Sequence, residues 1–218
     1  DIADDFNVVR SIRPKKLQTR IHNALPIMNA LQHDEAVKGV VPQVVVQAFY
    51  VSGSIELNGI INGVDILEED RLFDIGDYIV KGNQKAMAKT ENGIILGAGV
   101  ARKMSVGMGD IIQITTATGD IFPLKIVGIY ESGLAEIDDI QSYVNLKTAQ
   151  KLLGKSDSYI TDINIKLHDL ERAPALAELY SRKFDISAID IQSANAQFET
   201  GSSIRNLITY AVSIALLI

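Results

Sequence analysis

The chain has 218 residues, of which 47% are hydrophobic and 22% charged, a balance typical of folded globular chains long enough for one sizeable domain or two small ones. A formal net charge of −6 argues against non-specific nucleic-acid binding, which needs a basic footprint. With no cysteine present, disulfides and thiolate metal sites are excluded.

Residues 6–12 read as a short strand. A basic connection follows, carrying Arg13, Lys15, Lys16 and Arg20; it reads as a solvated loop, with a lipid-headgroup or partner contact as the sharper alternative. Pro26 suits a first helical turn, and Ile27, Met28 and Leu31 form an apolar stripe behind it. The β-branched run Val40, Val41, Val44, Val45 and Val46 then predicts a long buried strand over residues 37–51. These elements make a first β-α-β unit.

From residue 52 to about 155 glycines separate short apolar runs, the pattern of a strand-and-turn region. Residues 111–116 and 122–129 flank Thr118, Gly119 and Asp120 and predict a hairpin, with Phe122, Leu124 and Ile126 on one face and Pro123 and Lys125 on the other. Asn145 is placed to cap a short helix that carries Leu146, Ala149, Leu152 and Leu153 and stops at Gly154. Residues 159–167 alternate as a strand. A helix follows with Pro174 in its first turn and Leu176, Leu179 and Tyr180 on one face; residues 186–191 read as a further strand.

The expected fold class is therefore α+β. Residues 1–52 and 156–193 form a split β-α-β, ferredoxin-like porter subdomain, and residues 53–155 an inserted β-rich subdomain. Residues 194–218 are a stalk helix leading to a membrane segment. That segment, residues 206–218, carries no charge and includes Leu207, Ile208, Tyr210, Val212, Ile214, Leu216, Leu217 and Ile218. As a helix it rises about 20 Å against a hydrocarbon thickness of roughly 30 Å. A buried terminal helix and the first part of a transmembrane helix both fit; in a chain that starts at Asp1 without a methionine, the second is the expectation.

Chemistry has few candidates. Gly97-Ala-Gly99 between a predicted strand and helix resembles the start of a dinucleotide-binding turn, but Arg102 holds the third glycine position, where a side chain obstructs helix–strand packing. His22, His33 and His168 are scattered. Glu131, Glu136, Asp138 and Asp139 form an acidic loop without the spacing of a calcium loop. No serine stands in a nucleophile-elbow motif, and the chain reads as a non-enzyme.

Three ordered segments carry a resemblance. They are Gly-Ile-Ile-Leu-Gly-Ala-Gly-Val-Ala-Arg-Lys-Met-Ser-Val-Gly-Met-Gly-Asp over 93–110, Val-Gly-Ile-Tyr-Glu-Ser-Gly-Leu-Ala-Glu-Ile-Asp over 127–138, and Tyr-Val-Asn-Leu-Lys-Thr-Ala-Gln over 143–150, preceded by Gly63-Val-Asp65. Together they resemble the periplasmic domains of ABC-type permeases of the lipoprotein-releasing, MacB and FtsX-like superfamily. The resemblance implies an inner-membrane subunit with this domain on the periplasmic side. It also implies a dimer with a second permease subunit, a cytoplasmic ATPase that binds the ATP, and no cofactor in this domain. Membrane lipid and a lipoprotein, or a periplasmic carrier or adaptor, are the further partners implied. The function implied is coupling of ATP hydrolysis to extraction or export of lipoproteins or similar amphiphiles; the alternatives are a MacB-like efflux and mechanotransmission subunit, or an FtsX-like activator of a cell-wall hydrolase. One departure stands out. LolC-type permeases insert a long hairpin between the strands read here as 110–117 and 121–129, whereas this chain has only a short turn there. Partner contact is expected at that tip, at Thr118, Gly119 and Asp120, because tips of rigid strands carry recognition.

Overall fold

A computed structural model describes residues 20–190 and Ser193. The strand expected at 6–12, the basic residues Arg13, Lys15 and Lys16, and the stalk and membrane segment from 194 onward lie outside the described residues.

The longest strand organises the molecule. β1 (Val37–Ser52) alternates so that Val44, Val46, Ala48 and Tyr50 point into the core, as its β-branched run predicts. It turns at Gly53, whose φ of 59° suits a residue without a Cβ, and pairs antiparallel with β2 (Ile55–Val64). Beyond β2 come β7 (Gln141–Asn145), β4 (Gly93–Gly97), β6 (Ile121–Tyr130) and β5 (Ile111–Thr116) in spatial order. β5 then pairs with Ala48–Val51 of β1, so these six strands close into a barrel. β2 with β7 and β4 with β6 are parallel; the other pairs are antiparallel. Short β3 (Ile79–Gly82) extends the far end of β6.

The amino-terminal half of β1 projects beyond the ring and pairs with β8 (Asp162–Leu167). α1 (Ala24–Gln32) and α7 (Ala173–Phe184) contribute Ile27, Leu31, Leu176 and Tyr180 to one core that continues into the barrel through Val44, Ile112 and Ile126. α4 (Ala98–Met104) and α6 (Leu146–Leu152) add Val100, Met104, Ala149 and Leu152 to it. α2 (Ile66–Phe73) and α3 (Gln84–Lys89) cover the outer wall, where Ile66, Met87, Ile95 and Tyr130 make a smaller cluster. The α+β class stands. The line drawn at 52/53 falls on the β1–β2 turn, and the sheet itself runs unbroken across it.

Three expectations need correction. Residues 186–190 are not a strand: the Ser181 hydroxyl accepts from the Ala188 N–H at 2.9 Å and donates to its carbonyl at 3.4 Å, tying that backbone to α7 instead of to a ladder. Leu179 is 46% exposed, and Ala177 takes the inward position between Leu176 and Tyr180. Asn145 precedes α6 but makes no side-chain cap; its amide donates instead to the carbonyls of Met87 at 2.9 Å and Thr90 at 3.2 Å, joining α6 to α3.

Candidate functional site: the hairpin tip and the barrel wall

The β5–β6 hairpin forms as expected, and its tip is a self-contained polar turn. Gly119 takes a φ of 85°, a left-handed conformation suited to glycine. Its N–H donates to Thr116 O at 2.9 Å. Thr118 Oγ1 lies 2.8 Å from Thr116 Oγ1 and donates to Asp120 Oδ2 at 2.7 Å. Thr118, Gly119 and Asp120 are thus brought together on an exposed, internally braced tip. Behind it, Phe49, Thr115 and Ile121 lie abreast on the outer wall by strand register, with Phe49 and Ile121 both exposed.

The motif residues have structural work. An added Cβ at Gly97 would strike the carbonyl oxygens of Asp138 and Gln141, and one at Gly99 would strike Asp139. The glycine pair lets α4 approach the 138–141 backbone, so the strand–turn–helix is a packing device, not a phosphate cradle. Asp138 is buried; its Oδ1 accepts from the N–H and hydroxyl of Ser132, each at 2.8 Å. Asp139 pairs with Lys103 at 2.9 Å. Two of the loop's four acids, Asp138 and Asp139, are thus already partnered. Asp65 caps α2 by accepting from Leu67 N and Glu68 N. Gly63 abuts Ala149 of α6, which joins two separated motifs. Among the described residues no group of three or more His, Asp or Glu is placed to hold a metal; His33 Nδ1, for one, lies 2.7 Å from Asn29 O.

A shallow groove of about 370 Å³ opens between β3, α4 and β6. Val80, Ala98 and Ala101 line it together with Lys81, Arg102 and Glu131.

Sequence reasoning missed a buried polar seam on the outer wall. The Tyr50 hydroxyl lies 2.8 Å from Ser142 Oγ and donates to Ile60 O at 3.0 Å from the barrel side. Across the outer face Gln43 donates to Asn62 Oδ1 at 2.8 Å, Asn62 donates to Gln141 Oε1 at 3.1 Å, and Asn164 donates to Glu69 Oε1 at 3.5 Å. Burial pushes the Glu69 carboxyl up to about 7, against a smaller lowering by Asn164. Burial also raises Asp162, to about 6, against the Thr161 hydrogen bond. The one available signal was polar residues within strands otherwise β-branched, at Gln43, Asn62 and Asn164.

Residues 2–181 match the MacB-like periplasmic core domain. The chain belongs to that family. A "Lipoprotein-releasing system transmembrane protein LolC" from Neisseria meningitidis serogroup B is 27% identical over 161 residues, covering 68% of this chain and 38% of that protein. A "Lipoprotein-releasing system transmembrane protein LolE" from Haemophilus influenzae is 27% identical over 165 residues, covering 72% and 39%. The chain thus spans well under half the length of these relatives. Among solved structures, the extracellular domain of the noncanonic ABC-type transporter YknZ from Gram-positive bacteria aligns with TM-score 0.53 at 14% identity, covering 73% of this chain and 81% of that one. The periplasmic region of MacB from Actinobacillus actinomycetemcomitans aligns with TM-score 0.52 at 13% identity, covering 82% and 84%. At such identities the structures speak for the fold alone. The family match and the likeness to LolC and LolE place the chain among periplasmic domains of MacB- and LolC/LolE-like ABC permeases. Among the described residues no helix is long and apolar enough to cross a membrane.

Proposed function

We propose that the chain is the extracytoplasmic part of an inner-membrane ABC permease that couples ATP hydrolysis to extraction or export of lipoproteins or similar amphiphiles. The observation that carries this reading is the similarity to LolC and LolE over about 70% of the chain. ATP is bound by a separate cytoplasmic subunit and this domain takes no cofactor. Two permease subunits pair across the membrane, with residues 207–218 in the lipid. A domain whose strands share β1 and one core moves as a lever, so tilting of the membrane helices is passed to the body and closes or opens a space between two subunits.

Within this reading Thr118, Gly119 and Asp120 contact the periplasmic partner, a carrier or an adaptor. The short tip favours a second reading, a MacB-like efflux and mechanotransmission subunit, because a turn of this length has little reach for wrapping a carrier. The test is reconstitution of the whole permease with its ATPase in proteoliposomes holding a labelled lipoprotein. ATP-dependent release is expected. No release, with ATP-dependent efflux of small amphiphiles instead, would favour the second reading. A photo-crosslinker at position 118 in cells should capture one periplasmic protein; capture of none while the transporter works would remove the tip from the contact surface.

A further inference from the structure

Strand register places one set of polar side chains on a single face of the sheet. Asn164 lies opposite Val41, Asp162 opposite Gln43, Asn62 opposite Val45 and Tyr143 opposite Asn62. Residues directly opposite on paired strands share a face. α2 lies over this face: Leu72 fills the space where a side chain at position 39 would be, and Glu69, three residues earlier, reaches Asn164.

Glu69 is 6% exposed, Gln43 1% and Asn164 0%. Each keeps an oxygen with no partner among the described residues: Glu69 Oε2, Gln43 Oε1 and Asn164 Oδ1. All three are acceptors, and an unmatched buried acceptor costs free energy until a donor reaches it. Charged neighbours supply none. On α2, Arg71 pairs with Glu68 on the solvent side, and Asp70 accepts from Gly76 N and from Gln84. On β8, Lys166 lies over the Phe73 ring, and Asp162 is a second, half-buried carboxyl, raised by its desolvation. From β7 comes the phenol of Tyr143, itself raised by burial and by Glu69. Lys85 and Lys89 of α3 are exposed, as is Lys38 of β1.

We propose that Glu69 is held in the folded protein as a neutral carboxylic acid whose proton latches α2 to β8. The proton turns Oε2 from an acceptor into a donor to an amide oxygen of the seam; its loss to solvent leaves a buried carboxylate facing unmatched oxygens. The latch joins a helix from residues 53–155 to a strand from residues 156–193, while the barrel core does not include it. Its release therefore loosens the outer wall and leaves the ring closed. The inference goes beyond the transport reading and does not depend on it.

The raised titration of Glu69 sets the sign. A carboxyl held above its ordinary value favours the protonated fold, so stability is fullest below the unfolded value. It falls as pH climbs from the unfolded value to the folded one, by at most about tenfold in the unfolding constant per pH unit, and levels off above. The experiment is carbon-13 NMR of the full chain with labelled glutamate, the Glu69 signal being assigned from its loss in Glu69→Gln. Titration near pH 7 is expected; titration near the ordinary value of about 4.3 overturns the proposal. Hydrogen exchange, corrected for intrinsic rate, should show residues 66–73 losing protection between about pH 5 and pH 7 in the wild type. Equal protection across that range overturns the latch even if the carboxyl titrates high. Should Glu69→Gln fail to fold, assignment through Asn164→Leu, which removes the amide bonded to Glu69 and should move its signal, serves instead. Asp162→Asn removes the second carboxyl and should leave the Glu69 titration near 7.

Discussion

Gly97 shows what a motif residue does when no ligand is involved. Its missing side chain leaves room for two carbonyl oxygens, Asp138 O and Gln141 O. Both belong to backbone that is fixed: β7 begins at Gln141, and Asp138 is anchored by Ser132. Gly97→Ala therefore forces a shift of main chain, not the swing of a flexible side chain. Overpacking of this kind costs about 1–3 kcal/mol, to be read from the midpoint of urea unfolding at unchanged slope. A dinucleotide reading makes a different forecast, since it ties the same substitution to loss of nucleotide binding. Calorimetry with NAD or ATP should show no heat of binding for either protein. The Gly-x-Gly pattern was visible in the sequence, but its purpose was not, because the residues it accommodates lie about forty positions downstream.

The elements divide by how cleanly their burial follows their own period. The β5–β6 hairpin and β8 could be read because apolar and polar residues alternate along them, and β1 because its β-branched run is long. β2 could not: its first residues are exposed and its last six are buried on both faces, within the ring and under α2, so no period-two signal remains. α2 was hidden for another reason. Half of its run Ile-Leu-Glu-Glu-Asp-Arg-Leu-Phe is charged, and one of those acids, Glu69, points inward. The start of α2 is nevertheless encoded in Gly63-Val-Asp65, where Asp65 meets the N–H groups of Leu67 and Glu68. Asp65→Ala removes both bonds and the negative charge at the helix start, and should cost about 1 kcal/mol. Asp65→Asn keeps an acceptor and should recover most of that loss. Chemical denaturation of the three proteins gives the comparison; equal losses for alanine and asparagine would show that charge, not capping, is what matters there.

At the scale of the whole molecule, β1 belongs to two assemblies at once. One half pairs with β8 and the other with β5, while β2 follows its other edge. The changeover is pinned by Thr161, whose N–H donates to Gln43 O at 3.0 Å and whose hydroxyl accepts from Val45 N at 2.8 Å. Because that strand and the larger core are common to both parts, neither can melt without exposing apolar surface of the other. Cooperative, all-or-none unfolding follows when no boundary is cheaper to break than the whole. The chain has no tryptophan, so reporters can be placed cleanly: Phe122→Trp beside the barrel core, and Phe184→Trp at the end of α7. Both positions are half-buried against that core, which favours a fluorescence change on unfolding. The two reporters should give coincident midpoints in urea. Thr161→Val, which strips the acceptor from Val45 N while keeping the side chain's shape, is the change that should first separate them, with the α7 reporter moving to lower urea. Distinct midpoints in the parent reporters would mean that the β1–β8 arm and the ring fold as independent units, with β1 as the seam between them instead of a shared strand.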